Sequence, residues 1–198
     1  MTAVTIKKPP VRDRLLAAAD ELFYAEGVHT VGIDRVIDRA GVAKASLYSA
    51  FRSKEALVRA YLEAQHERRR VRLLQSLAAY DDPRERLLGV FDVLAEIAGT
   101  PTFRGCAFYN ASAESPDGGA VQEVCDTTRA WTRGLFTELA KDAGARDPEL
   151  LTAQLMVLYD GAMAGARMDR RPQAMADARA VAATLLRAQV QPAVSNPA

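Results

Sequence analysis

The chain has 198 residues, with 26 lysines and arginines against 25 aspartates and glutamates, and 49% of it is hydrophobic. That is enough apolar material for one or two units with a real core, and it excludes disorder over most of the length. No run approaches the ~18–20 consecutive apolar residues of a membrane-spanning helix, and no apolar stretch follows Lys7 and Lys8 as a secretory signal requires, so a cytoplasmic protein without a membrane partner is expected.

The two cysteines, Cys106 and Cys125, and the two histidines, His29 and His66, do not make a disulfide scaffold or a metal-ligand spacing. No metal and no cofactor is expected. Phosphate-binding glycine loops, dinucleotide fingerprints, nucleophile elbows and zinc-protease histidine pairs are missing from the sequence. An enzyme is therefore disfavoured, and no catalytic residue is proposed. Residues 1–55 carry nine basic and seven acidic side chains and the remainder 17 and 18; this small asymmetry does not by itself identify a nucleic-acid binder.

In chain order the apolar residues follow a helical period rather than strand alternation. Val11, Leu15, Ala18, Ala19 and Leu22 mark a first helix stopped by Gly27. Ile33, Val36, Ile37 and Ala40 mark a second, closed by Gly41, and Leu47 and Phe51 a short third from Lys44 to Phe51. With Ser53 as N-cap and Glu55 in the first turn, a long helix is predicted from Lys54 to Tyr80. Residues 84–98 form the next, and Phe103 to Gly119 reads as a less regular stretch. Three further segments follow: from Gly119 to about Lys141, from Asp147-Pro148 to Arg170, and from Gln173 to Gln189. The tail 191–198 is expected to be disordered. The prediction is an all-α protein of about nine helices.

Residues 31–50 carry the functional signal. Helix, glycine-containing turn and short helix make a helix-turn-helix, whose second helix lies in the DNA major groove. With Ile33, Val36, Ile37, Leu47 and Phe51 inward and Val42 plugging the turn, Lys44, Ala45, Ser46, Tyr48 and Ser49 face outward. Lys and Ser suit base edges or phosphates, Tyr suits phosphate or stacking, and Ala45 allows close approach. Taken singly, these residues are equally the solvent face of a short bundle helix.

The full string from Thr30 to Leu57, with Leu22 to Gly27 before it, resembles the N-terminal domain of the TetR family of transcriptional regulators. Its glycines, apolar positions, Leu47-Tyr48-x-x-Phe51 and Ser53-Lys54-x-x-Leu57 occur in register, and the resemblance covers about residues 8–68. It implies a DNA-binding domain over 8–55 and a helical ligand-binding and dimerisation domain over 56–190. It further implies that Thr30 caps the first motif helix and touches a phosphate, that Lys44, Ala45 and Ser46 read bases, that Tyr48 contacts the backbone, and that Lys54 meets a phosphate at a helix N-terminus. The chain departs from the family pattern at Ala43, where a capping Ser is common, and at Ser49-Ala50, where larger residues stand. Lys7, Lys8 and Arg12 are either a compensating basic arm or a solvated N-terminus.

The family's C-terminal half dimerises and binds an inducer. Gly161, Ala162, Ala164, Gly165 and Ala166, with Leu151, Leu155, Leu158, Val181 and Leu185 as larger knobs, suit a two-fold helical seam; an intramolecular core is the other reading. Phe91, Phe108, Asn110, Thr128, Trp131, Tyr159 and Met163 are the ligand-pocket candidates, and an aromatic stripe at this spacing is also what plain core looks like. The segment Phe103 to Asn110 resembles one branch of the family in which some members sense oxidants through cysteine. There Cys106 is either a reactive thiol, with Arg104 beside it, or a small buried hydrophobe. The basic run Arg68, Arg69, Arg70 and Arg72 reads as a solvated face paired with Glu63 and Glu67. The resulting expectation is a homodimeric repressor released from a palindromic double-stranded operator by a small, mainly apolar inducer. The alternative is a thiol-based redox or electrophile sensor acting through Cys106.

Overall fold

Helical spacing of apolar side chains shapes the whole chain. The computed structural model describes residues 8–115 and 118–190 and has nine α-helices and no strand among the described residues, in agreement with the all-α expectation. They are α1 (Val11–Glu26), α2 (Ile33–Ala40), α3 (Lys44–Phe51), α4 (Lys54–Leu77), α5 (Pro83–Ala98), α6 (Ala107–Glu114), α7 (Ala120–Asp142), α8 (Pro148–Met168) and α9 (Gln173–Gln189). The expected disordered tail 191–198, Lys7 of the basic arm and the Pro116-Asp117 break lie outside the described residues.

The starts of three helices follow from capping chemistry. Ser53 Oγ accepts the Ala56 N–H at 3.1 Å. Asp82 and Asp147 each accept a first-turn N–H and are each followed by a proline at the helix start, where its missing N–H costs nothing. Two boundaries differ from the sequence reading. α4 ends at Leu77 rather than Tyr80, because the N–H groups of Ala79 and Tyr80 turn to carbonyls three residues back and the chain tightens. α6 forms inside the stretch read as irregular, where its apolar run, Ala107, Phe108 and Ala111, is too short to show a period.

The chain divides into two compact units: residues up to Gln65 with Ala107–Cys125, and His66–Cys106 with the residues from Asp126 onward. The sequence reading drew one cut at 55/56. By compactness α4 and α7 each contribute to both units, and α6 belongs to the first.

The first unit is centred on Leu15, Ala19 and Phe23 of α1, Val36 and Ile37 of α2, Leu47 and Phe51 of α3, and Leu57, Tyr61 and Leu62 of α4, all buried. Phe23 meets Tyr61 edge-to-face with centroids 5.7 Å apart, and Gln65 donates to Asp20 at 2.9 Å.

The second unit has its own core of Leu87, Phe91 and Leu94 from α5, Phe136 and Leu139 from α7, Leu151, Leu155 and Tyr159 from α8, and Met175, Ala182 and Leu186 from α9. Phe136 packs tilted against Phe91 and edge-to-face against Tyr159, with centroids 6.0 and 6.2 Å apart. Arg179 of α9 fastens α5 by pairing with Glu85 and Asp92 at 2.8 and 2.9 Å. Leu151 and Leu155, expected as knobs of a subunit seam, are fully buried within this unit. The reason is that α8 carries two apolar stripes. Leu151, Leu155, Tyr159, Ala162 and Ala166 point inward, while Leu150, Val157, Gly161, Ala164 and Met168 form an outward stripe at heptad-like spacing. Val157 and Met168 are 72% and 80% exposed.

Candidate nucleic-acid interface

The motif is built by burying one side of two short helices. α2 ends at Gly41, whose left-handed backbone (φ 62°, ψ 46°) costs a glycine least. The Gly41 N–H returns to Asp38 and the Val42 N–H to Ile37, a Schellman-like closure. Arg14 of α1 holds the turn from outside, with Nη2 donating to the carbonyls of Ala40 and Gly41, both at 2.6 Å. α3 then starts at Lys44 behind Ala43, which makes no side-chain cap, as the sequence indicates. Leu47 and Phe51 anchor it, so Lys44, Ala45, Tyr48 and Ser49 are exposed and Ser46 is half-buried. An open groove beside the helix is lined by Val11 and Arg12 of α1 with Ala45, Ser46, Ser49 and Ala50. Arg12 lies over the Phe51 ring at 4.9 Å, so the structure seats it against α3.

Charges around this face are largely paired within the protein. Lys44 Nζ donates to Asp34 Oδ1 at 2.9 Å; this hydrogen bond, and then the Asp34 charge, hold the Lys44 ammonium above the ordinary lysine range. Arg35 pairs with Glu26 at 2.6 Å and Arg39 with Glu21 at 2.7 Å. Thr30 is exposed but does not cap α2. The residue at that position is Gly32, without a side-chain cap, because the helix starts one residue after it at Ile33. The turn containing Thr30 is held at both backbone polar groups of one residue, His29. The His29 N–H donates to Glu114 Oε2 of α6 at 2.8 Å, and Lys54 Nζ donates to the His29 carbonyl at 3.2 Å. The Glu114 carboxylate fits there because Gly27, at φ 96°, has no side chain; a Cβ on it would lie 2.7 Å from Glu114 Oε1.

The ligand-pocket candidates are distributed over both units. Phe108 and Asn110 lie on α6 in the first, Phe108 buried with its carbonyl 3.4 Å from Cys125 Sγ. Phe91, Thr128, Trp131, Tyr159 and Met163 lie in the second. Phe91 is a core residue against Phe136, Met163 is buried, and the Thr128 carbonyl accepts the Thr132 hydroxyl at 2.9 Å. The buried Tyr159 hydroxyl accepts from Arg69 Nη1 at 2.8 Å, and the Arg69 guanidinium also stands 3.8 Å from Cys106 Sγ. Burial pushes the Tyr159 phenol up, against the lowering effect of Arg69. Both cysteines are free thiols. Among the described residues, no group of three or more His, Cys, Asp and Glu side chains is placed to hold a metal, and no helix is long and apolar enough to cross a membrane.

Residues 15–61 match the family model described as bacterial regulatory proteins, tetR family. Over 135 residues the chain is 32% identical to the HTH-type transcriptional activator FasR of Mycolicibacterium smegmatis, and over 149 residues 32% identical to the HTH-type transcriptional repressor NemR of Escherichia coli. These alignments take in 67% and 73% of this chain, but only 60% and 66% of the relatives' own lengths. A crystal structure of a TetR-family transcriptional regulator from Streptomyces coelicolor superposes with a TM-score of 0.87 at 32% identity, covering 91% of this chain and 96% of that one. The chain belongs to the TetR family. Its members are transcriptional regulators with an N-terminal helix-turn-helix, which is what α2 and α3 form here.

Two side chains of this TetR-family protein were missed by the sequence reading. Arg69, assigned to a solvated basic face, turns inward to Tyr159 and Cys106, while Arg70 and Arg72 do pair outward with Glu67 and Glu96 at 2.8 and 3.0 Å. The signal was its spacing, since successive residues of a helix point in different directions, so Arg68, Arg69 and Arg70 cannot all share one solvent face. His66, one turn earlier, meets Trp131 edge-on at 5.6 Å, and its Nδ1 is buried without a hydrogen bond. Burial, more than its charged neighbours, lowers its pKa. The folded state thus prefers neutral His66, and its contribution to stability is present above the unfolded value near ~6.5 and is lost as pH falls below it. Acid titration of the wild type should show this loss together with a change in the fluorescence of Trp131, the one tryptophan of the chain. His66→Gln should flatten both; an unchanged titration would mean His66 is not the group responsible.

Proposed function

We propose that the protein is a homodimeric, ligand-responsive repressor of transcription that binds a palindromic operator and leaves it when a small, mainly apolar inducer binds the second unit. The observation that carries the DNA-binding reading is α3 itself, which exposes Lys44, Ala45, Tyr48 and Ser49 in one stripe opposite the buried Leu47 and Phe51. In that reading Lys44, Ala45 and Ser46 read base edges, while Tyr48, Ser49, Lys54 and Thr30 contact the backbone. The outward stripe of α8, with Val181 of α9, supports a two-fold interface, and helix-turn-helix dimers of this kind set their reading helices about 34–36 Å apart. α4 contributes to both units, which suits it to carry an inducer's preference for one head spacing over another.

The test is sequencing of genomic fragments retained by the purified protein at near-physiological salt, where non-specific phosphate attraction is reduced. Enrichment of a short palindrome is the expected result. A folded protein that enriches no sequence, with or without added cell extract, would defeat the reading.

A second reading is favoured by one contact, the Arg69 guanidinium 3.8 Å from Cys106 Sγ. It brings positive charge to a sulfur that is part-exposed. Addition of the Cys106 thiol to an α,β-unsaturated carbonyl forms a C–S bond at the β-carbon as the C=C π bond opens, and the thiol proton ends on the α-carbon. Under this reading Cys106→Ser keeps operator binding and loses release by such an electrophile; release that persists in Cys106→Ser rules it out.

A further inference from the structure

On the face assigned above to DNA, the first residue of the reading helix is held by a carboxylate of the helix before it. Lys44 Nζ and Asp34 Oδ1 are 2.9 Å apart, with side chains 59% and 73% exposed, so neither is sequestered from an incoming duplex. Lys44 opens α3, which has no side-chain cap at Ala43. Helix end and ammonium together make a strongly anion-attracting point. Asp34, in the first turn of α2, supplies a protein anion to that point. The two arginines of the motif helices, Arg35 and Arg39, are paired elsewhere with Glu26 and Glu21, so Asp34 serves Lys44 specifically.

We infer that Asp34 is a specificity-determining residue: by occupying Lys44 it suppresses attraction to arbitrary phosphates, and only a sequence offering Lys44 a base-edge acceptor makes good the lost ion pair. The inference rests on the DNA-binding reading. Any phosphate can compete for Lys44, but at a non-cognate site it must displace a carboxylate of the same charge and then remain beside it. At a cognate site the close approach permitted by Ala45 gives the ammonium a guanine O6 or N7, and gives Asp34 a cytosine amino group as donor. The device raises the ratio of operator to random-sequence binding by weakening the second, which is discrimination against wrong partners rather than tighter grip on the right one.

The experiment is a binding titration by fluorescence anisotropy of wild type, Asp34→Asn, Lys44→Ala and the double variant. The probes are the enriched operator duplex and a scrambled duplex of equal length, each at several KCl concentrations. Asp34→Asn is expected to tighten scrambled-duplex binding by roughly 2- to 25-fold for a dimer, two exposed pairs each contributing about 1.4- to 5-fold. Operator binding should tighten less. The salt dependence on scrambled DNA should steepen by about one counterion per subunit, and in the Lys44→Ala background Asp34→Asn should lose most of its effect. Unchanged binding to scrambled DNA overturns the inference. So does weaker operator binding with scrambled binding unchanged, which would make Asp34 a residue that aims Lys44. A wild type that binds neither duplex refutes the DNA-binding reading itself. The scrambled-duplex arm remains readable whether or not an operator is found, and thermal unfolding of Asp34→Asn checks that the exchange of one oxygen for an amide leaves the fold intact.

Discussion

Phe51→Ala is expected to lower the stability of the first unit by about 3–5 kcal/mol, the usual cost of emptying a buried aromatic site. Phe51 is 5% exposed at the end of α3, and no other large side chain of that eight-residue helix is buried except Leu47. Removing it halves the anchoring of a helix too short to persist alone. The same ring carries Arg12 at 4.9 Å, a cation–π contact worth about 0.5–1 kcal/mol at an exposed site. Urea unfolding followed by circular dichroism measures the loss. Phe51→Leu, which keeps most of the volume, should recover more than half of it. An effect below about 1 kcal/mol for Phe51→Ala would mean that α3 is held by something other than this core.

The second large effect concerns DNA rather than stability. Lys44→Ala combined with Tyr48→Ala is expected to weaken operator binding by about 100-fold or more, the proposed base-reading and backbone-positioning contacts being lost in each subunit of the proposed dimer. The two single variants should differ in kind. Lys44→Ala reduces the preference for operator over scrambled DNA, whereas Tyr48→Ala weakens both about equally. Both side chains are exposed, so the melting temperature should stay within a few degrees of wild type. An operator affinity unchanged in the double variant would move the reading surface away from α3.

α3 is legible in the sequence because its signals are local. Leu47 and Phe51 at i, i+4, the Gly41 stop and the Ser53 cap each act within a turn or two, and each appears in the structure where the spacing puts it. What escaped is what depends on partners far along the chain. The family resemblance puts the cap of α2 at Thr30, whereas the capping position in this chain is Gly32, because the first helical residue is Ile33. Leu151 and Leu155 were offered to a partner subunit although they fill their own core, because a helix with two apolar stripes does not declare which one faces inward. Arg69 was counted among its basic neighbours, and its contacts, Cys106 and Tyr159, lie 37 and 90 residues away. Asp34 and Lys44 stood in plain view, yet their pairing needs the α2–α3 crossing to bring them to 2.9 Å.

The Glu114 contact with the His29 N–H bears on how freely this protein can be taken apart. Chain order suggests that the head is a cassette ending near the first third of the sequence, ready for transfer onto another regulator. Its turn is instead completed by a carboxylate 85 residues downstream, seated against a glycine that leaves room for it. A chimera grafting residues 8–65 onto a foreign effector half inherits the vacancy at Gly27 and not its occupant. Such a hybrid will need an acid supplied from the recipient's own sixth helix, and recipients lacking one are poor hosts however well their first helices match.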